Sequence, residues 1–516
     1  MRAQSVAHHG ASTFAPDMTT WNPLRGSPDA DLLPELDRLV ARSRDLDRNN
    51  GVAHGGIQTI VDNVVGVGLR LSARPNYREL GFDKAWADDW SQQVEARWWG
   101  WAETTACHVG DTLIFDQLTA QALRAQLSCG EAIGLPYWIP DRGDGFATKL
   151  QLIEADRLSN PCYLQDTEQR RGGIEFDSYG VPVGYWIRKI HPGDTWMSLD
   201  AGRREQWEFI PRKTAFGRRR VLHVYDPERA NQSRGKPILA SVLGQFKSID
   251  RYAAAELQAA VVNAMIAGII ETPMDQESII GLFQNDSDAY LKARKDHAIE
   301  LRGGQLLPVF PGDKVQPFIP ARPAAAFGAF MENIFRIIGV QLDLPYELLL
   351  KDFSKTNYSS ARAALLEAWR SFNRRRDWLG TTWCDPVYAL WLEEQIDAGH
   401  IEAPGFAQHR AAYLRCKWLG PGRGWVDPVK EAQGAKLRMD IGVSTLEDEC
   451  GDQGKDWREV MEQRARERSV AKELGLPADS PSNAAPLPAD TNDPEDQSTS
   501  GDPNQDPAKL PEDVTP

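Results

Sequence analysis

The chain's 516 residues leave room for one to four domains and a large buried core. Its 41% hydrophobic and 26% charged residues exclude disorder throughout. The formal charge of -14 is uneven, because residues 477–516 carry nine acidic residues against one lysine, so the remainder is only mildly acidic and tight, static binding to nucleic acid is disfavoured.

In chain order, DLLPELDRLVARSRDLDRNN places Leu32, Leu36, Leu39 and Val40 at helical spacing, and GGIQTIVDNVVGVGLRLSARP continues helically until Gly66 and Gly68. DKAWADDWSQQVEARWWGWAE sets Trp86, Trp90, Val94 and Trp98 on one helical face, a stripe better suited to core than to base stacking. From about residue 148 the period shortens. LQLIEADRL, GIEFDSYGVPVGYWIRKI and RRVLHVYD read as strands, with a hairpin turn at Tyr179-Gly180. A mixed α+β body is therefore expected up to about residue 235.

Residues 233–270 read as one helix, with Pro237 in its first turn and Leu239, Leu243, Phe246, Ile249 and Ala253 as its apolar stripe. At about 1.5 Å per residue it would be roughly 50 Å long, more than a compact domain needs. Residues 271–322 read as a short helix around QESIIGLF and then three strand-like runs punctuated by Gly303-Gly304 and Pro311-Gly312. A second helix follows, with Phe327, Met331, Ile334, Phe335 and Ile338 on one face. KDFSKTNYSS then leads, with Ser359 or Ser360 as cap and Asn357 in a turn, into a helix to about Leu379 that carries Leu365, Trp369 and Phe372. More helical sequence runs to about residue 473, and the Pro/Asp/Ser-rich remainder, 476–516, is expected to be a disordered, acidic tail.

Motifs for catalysis are missing. There is no G-x-x-x-x-G-K-[ST] loop, H-E-x-x-H, G-x-S-x-G or kinase signature, and GVGLRL lacks the third glycine of a dinucleotide fingerprint. Cys107-His108 and Asp88-Asp89 read as structural and solvated residues rather than catalytic ones. The six cysteines show no C-x-x-C pair or zinc-like spacing. The N-terminal residues lack the apolar core of a signal peptide, and the longest apolar run, AAVVNAMIAGII, is too short to span a bilayer. An intracellular protein with no membrane partner and no cofactor is expected.

An ordered series of stretches resembles the lambda-type portal proteins of tailed bacteriophages. RSRDLDRNNGVAHGGIQTIVDNVVGVGLRL resembles the family's N-terminal signature, and LQLIEADRL, GIEFDSYGVPVGYWI, His191-Pro192, VLHVYDPERANQSRGKPILASVL, YAAAELQAA and NYSSARAALLEAWR follow in the family's order. The resemblance implies an α+β, predominantly helical portal fold with wing, stem, clip and crown. It also implies assembly into a ring, usually of about twelve subunits with closed symmetry, at one vertex of the virion, assembled in the host cytoplasm. Mapped onto this chain, it gives a wing at 1–235, stem helices at 236–270 and 323–342, a clip at 271–322, a tunnel loop at 343–358, and a long helix and crown at 359–475.

The same resemblance places Lys351, Asp352, Phe353, Ser354, Lys355, Thr356, Asn357 and Tyr358 in a loop facing double-stranded DNA. Lys351 and Lys355 would touch phosphates transiently while Asp352 tempers the attraction. It implies as partners the terminase, the major capsid and scaffold proteins and the head-completion proteins, and it implies no catalytic residue. Two further readings are a hydrolase or nuclease of a phage particle and a head-to-tail adaptor; the missing motifs weigh against the first and the chain length against the second.

Overall fold

The computed structural model describes residues 11–13, 15–194, 206–265, 268–271, 292, 314–317, 327–354, 358–424 and 428–475. The chain divides into two units, Met1–Gly454 and Lys455–Pro516. The expected helix at QESIIGLF, most of the 271–322 insert and the acidic tail lie outside the described residues.

The first unit opens with α1 (Pro28–Leu32) and α2 (Leu36–Asn49). The single helix expected across Leu32 to Val40 is thus two, broken at Pro34, which has no N–H to donate and disfavours helical geometry in the residue before it. Asn50 then caps α3 (Gly51–Val64), its Oδ1 accepting from the N–H groups of Val52 and Ala53, both at 3.1 Å. After α3 come β1 (Arg70–Ala73), α4 (Lys84–Ala102) and α5 (Phe115–Cys129). β2 (Glu131–Trp138) pairs antiparallel with both β3 (Thr148–Ile153) and β8 (Leu222–Tyr225). A second sheet is formed by β4 (Arg170–Arg171), β5 (Ile174–Phe176), β6 (Pro182–Arg188) and β7 (Trp207–Pro211) in sequence order. The expected hairpin turn lies between β5 and β6: Gly180 has φ 79°, and Asp177 Oδ1 accepts from the N–H groups of Tyr179 and Val181. LQLIEADRL is strand only to Ile153, then a 3-10 turn at Ala155–Arg157.

The helix expected over residues 233–270 is shorter than that span. A 3-10 turn at Ala240–Val242 precedes α6 (Leu243–Met265), and Gly268–Glu271 is not helical but forms β9, antiparallel to β10 (Lys314–Pro317). At the start, Ser233 and Arg234 are committed to Asp29 and Glu131 instead of to helix. At the end, Ile269-Ile270 belongs to a short apolar run that periodicity alone cannot assign to helix or strand. α7 (Phe327–Leu342) returns beside α6, with the Tyr252 ring 5.3 Å from Phe327 and 5.2 Å from Phe330.

α8 (Tyr346–Leu350) and α9 (Tyr358–Leu379) follow, and α9 continues through a π-helical turn, Gly380–Cys384, into α10 (Asp385–Asp397). α10 does not leave the body. Trp98 of α4 lies 5.2 Å from Trp391, 5.9 Å from Tyr388 and 5.6 Å from Trp418 between ring centroids, all three contacts edge-on. The Trp stripe of α4 is therefore core, completed by residues nearly 300 positions later. β11 (Cys416–Leu419) pairs with β1 in the same way, a strand that four residues of sequence gave no reason to expect. A smaller core, including Ile133, Leu135, Ile174, Tyr185 and Ile187, joins the two sheets.

In the second unit Asp456 caps the helix Trp457–Glu473, accepting from the N–H groups of Arg458 at 2.8 Å and Glu459 at 3.3 Å. No described helix is long and apolar enough to cross a membrane.

Candidate functional site

The segment between α7 and α9 is built from its anchored base outward. α7 ends when Asp343 adopts φ 55° and the Leu344 N–H donates back to the Gly339 carbonyl at 2.9 Å, the six-to-one bond of a Schellman cap. A Cβ on Gly339 would lie 2.5 Å from the Leu344 carbonyl oxygen, so only glycine lets the chain fold back this closely. Pro345 opens α8, its carbonyl accepting from the Leu348 and Leu349 N–H groups.

Leu342, Leu344 and Leu349 are buried against α3. A Cβ on Gly56 would meet Leu342 Cδ1 at 2.9 Å and Leu349 Cδ1 at 3.1 Å, which explains a glycine in the middle of α3 despite its helical cost. The base of the segment is thus wedged into the main core.

Beyond this wedge the chain turns outward. Lys351 ends α8 in the left-handed region, φ 56°, and is exposed. Asp352 Oδ1 accepts from the Ser354 N–H at 3.0 Å, and Phe353 is 46% exposed despite being aromatic. Lys355, Thr356 and Asn357 lie outside the described residues. Tyr358 is already the first residue of α9, so Ser359 and Ser360 sit inside the helix rather than capping it.

Asp343 ties α9 to the end of α7. Its Oδ2 accepts from Arg375 at 3.1 Å and from the Ser371 hydroxyl at 3.2 Å, with Arg374 at 3.5 Å. Arg376 donates to the Asn63 and Val64 carbonyls at 2.8 and 3.1 Å, placing its charge at the negative end of α3. Between α7, α8 and α9 lies a cleft of about 670 Å³, where the Arg336 guanidinium stands 5.4 Å from the Tyr346 ring. Sequence reading had not singled out Asp343, Gly339 or Gly56. Gly55-Gly56 inside an apolar helical run was the available signal.

Two groups of chemically capable side chains are engaged in structural contacts among the described residues. Cys107 is fully buried, and burial pushes its thiol up to about 12, while His108 Nδ1 lies 3.1 Å from the Thr112 hydroxyl. Glu154, Asp156 and His191 bring ligand atoms within 4.8 Å of one another, but the Arg44 guanidinium already pairs with both carboxylates.

Residues 14–376 match the family model for phage portal protein, lambda family. Portal protein B of Escherichia phage lambda is 31% identical over 499 residues, 92% of each chain. The chain belongs to the lambda family of phage portal proteins. The portal protein of Escherichia phage N15 is also 31% identical over 92% of each chain, and a probable portal protein of Halomonas phage phiHAP-1 is 26% identical over 469 residues, 89% of this chain and 85% of that one. Among solved structures, the neck of an empty gene transfer agent particle covers 84% of this chain and 94% of its own at 14% identity, with a TM-score of 0.44. As a lambda-family portal protein, the chain is a structural component of a tailed-phage virion at the capsid vertex, with an α+β, predominantly helical fold. The family match covers the Lys351 segment and most of α9, and ends before α10.

Proposed function

We propose that this portal chain assembles into a closed ring of about twelve copies whose channel carries double-stranded DNA in during packaging and out during ejection. Residues 343–358 would be the tunnel loop, with 351–358 facing the DNA, α6 and α7 within the stem, the 271–322 insert as clip and residues 1–235 as wing. The observation that supports this reading most is the contrast within residues 342–354: Leu342, Leu344 and Leu349 fix the base in the core while Lys351, Phe353 and Ser354 are exposed at the end. A rigid base with a small polar tip suits a surface that DNA must pass without being held. A strongly basic lining would bind it by counterion release.

The chain carries out no catalysis in this account. With no nucleotide-binding loop, the motor is a separate terminase, which would dock at the clip, and head-completion proteins would later take its place. Major capsid and scaffold proteins would meet the wing and outer stem. Replacing Lys351 and Lys355 together with alanine is expected to change the yield or retention of packaged DNA severalfold while leaving assembly of the ring intact. Packaging assays that return wild-type yield and retention would contradict the tunnel-loop assignment.

A further inference from the structure

Residues 212–220 carry five basic side chains, Arg212, Lys213, Arg218, Arg219 and Arg220, in an otherwise acidic protein. They form a hairpin that leads from β7 into β8. Thr214 and Arg218 close it, with the Thr214 N–H donating to the Arg218 carbonyl at 2.8 Å, and Gly217 turns the chain with φ 89°.

The register sets like charges against each other. Lys213 and Arg219 face one another as an antiparallel pair without direct backbone bonds, the closer of the two pair types. Next to them the Arg220 N–H donates to the Arg212 carbonyl at 2.9 Å, so these two arginines are also opposed. Directly opposed like charges destabilise a strand pair. Partial desolvation first, and then the charges of Arg212 and Arg410, lower the Arg219 pKa.

Of the five, Arg218 alone makes side-chain hydrogen bonds to described residues. It donates to the Thr148 hydroxyl at 2.7 Å and the Leu390 carbonyl at 3.2 Å, and lies 5.0 Å over the Trp138 ring. Arg212, Lys213, Arg219 and Arg220 form no ion pair with any described residue. Phe216, at the turn, is 86% exposed.

Beside the hairpin is a cleft of about 320 Å³. Lys213 and Arg219 stand around it, with Arg410, which is already paired with Glu393 at 2.6 Å, and Pro386, Ala389, Leu390 and Leu414 supply apolar lining. Asp385 also reaches its wall, but its Oδ1 is held by the Trp418 indole N–H at 2.8 Å. A duplex would use the charges and leave the apolar lining empty. A peptide with acidic residues around an apolar side chain uses both.

We propose that this hairpin and cleft form a docking site for an acidic peptide segment of a partner protein, anchored by an apolar side chain. The site is separate from residues 351–358 and does not depend on their role. This repulsion, which no described residue relieves by an ion pair, is then a feature kept for binding at some cost to the isolated fold.

The test uses the full-length chain and a fluorescently labelled synthetic peptide of alternating glutamate and leucine, read by anisotropy. Companion probes are a glutamate–serine peptide, a lysine–leucine peptide and a random-sequence DNA duplex. The glutamate–leucine peptide should bind best, more weakly as salt is raised, and Lys213→Glu with Arg219→Glu should weaken it at least about tenfold. Lys213→Gln with Arg219→Gln should also weaken binding, and it should melt at or above the wild-type temperature because it removes the repulsion between the opposed pair, which the glutamate pair would keep with the opposite sign; a merely structural hairpin would melt lower.

The proposal is overturned if the glutamate–serine peptide binds as well as the glutamate–leucine one, or if neither variant changes binding. Duplex DNA binding more tightly through the same two residues would make this a nucleic-acid surface instead. Loss of self-association in the glutamine variant would assign the surface to a second copy of the chain.

Discussion

Replacing Arg234 with alanine should cost the fold about 3–5 kcal/mol, the scale for stranding one member of a buried ion pair. Glu131, at the start of β2, is 1% exposed, and Arg234 holds both its oxygens, with Nε at 2.7 Å from Oε1 and 2.9 Å from Oε2. The same guanidinium donates to the carbonyls of Leu158 at 2.9 Å, Gly172 at 2.7 Å and Ala155 at 3.2 Å, and His223 Nε2 lies 2.7 Å from Glu131 Oε2. One side chain therefore joins both sheets to the chain that leads into α6.

Burial alone would raise the Glu131 pKa, but the Arg234 charge and the His223 hydrogen bond outweigh it and hold the carboxyl at about 2. A depressed carboxylate pKa contributes stability that is fully present above the unfolded value, roughly 4.3, and is lost as pH falls through about 2. Without Arg234 the carboxyl loses its main stabilising charge and its pKa rises, so this acid-side loss should flatten. Urea unfolding at neutral pH and again near pH 3 measures both effects. A loss at neutral pH below about 1 kcal/mol, no more than a typical exposed ion pair, would contradict the account.

Truncating Leu349 to alanine should cost about 2–5 kcal/mol, with the loosening concentrated next to the Lys351 segment. The side chain is 3% exposed and fills the space left by the missing Cβ of Gly56, so its removal opens a cavity between α3 and α8. Amide exchange should accelerate most over residues 346–354. Phe353→Ala, four residues further on at a half-exposed side chain, should change global stability by only a few tenths of a kcal/mol. Equal costs at Leu349 and Phe353 would remove the distinction between anchored base and free tip.

Strong local signals carried much of the fold. Of the expected stripe Trp90, Val94 and Trp98 are buried and Trp86 is partly buried against the core, the Tyr179-Gly180 turn joins two strands, and α9 begins one residue from where it was expected. Readings failed where a distant contact overrode local pattern. Ser233-Arg234 would extend a helix if Asp29 and Glu131, 204 and 103 residues away, did not claim them. β11 forms only because β1 offers it an edge. α8 is five residues long and gains its place through Leu344 and Leu349 packing on Gly56, a pairing that helical periodicity does not encode.

The candidate segment was legible in part for the same reason. KDFSKTNYSS reads as a polar approach to a helix, and Lys351 to Ser354 are indeed surface residues. The Asp343 contacts with Ser371, Arg374 and Arg375 were hidden, because they join residues 28 to 32 positions apart across two helices.

The central claim is a ring around a channel, and electron microscopy of the purified full-length chain, with native mass on the same sample, tests it most directly. The account predicts closed rings of about twelve copies with an open centre. A compact monomer at high concentration, with no ring even when scaffold protein is added, would contradict it.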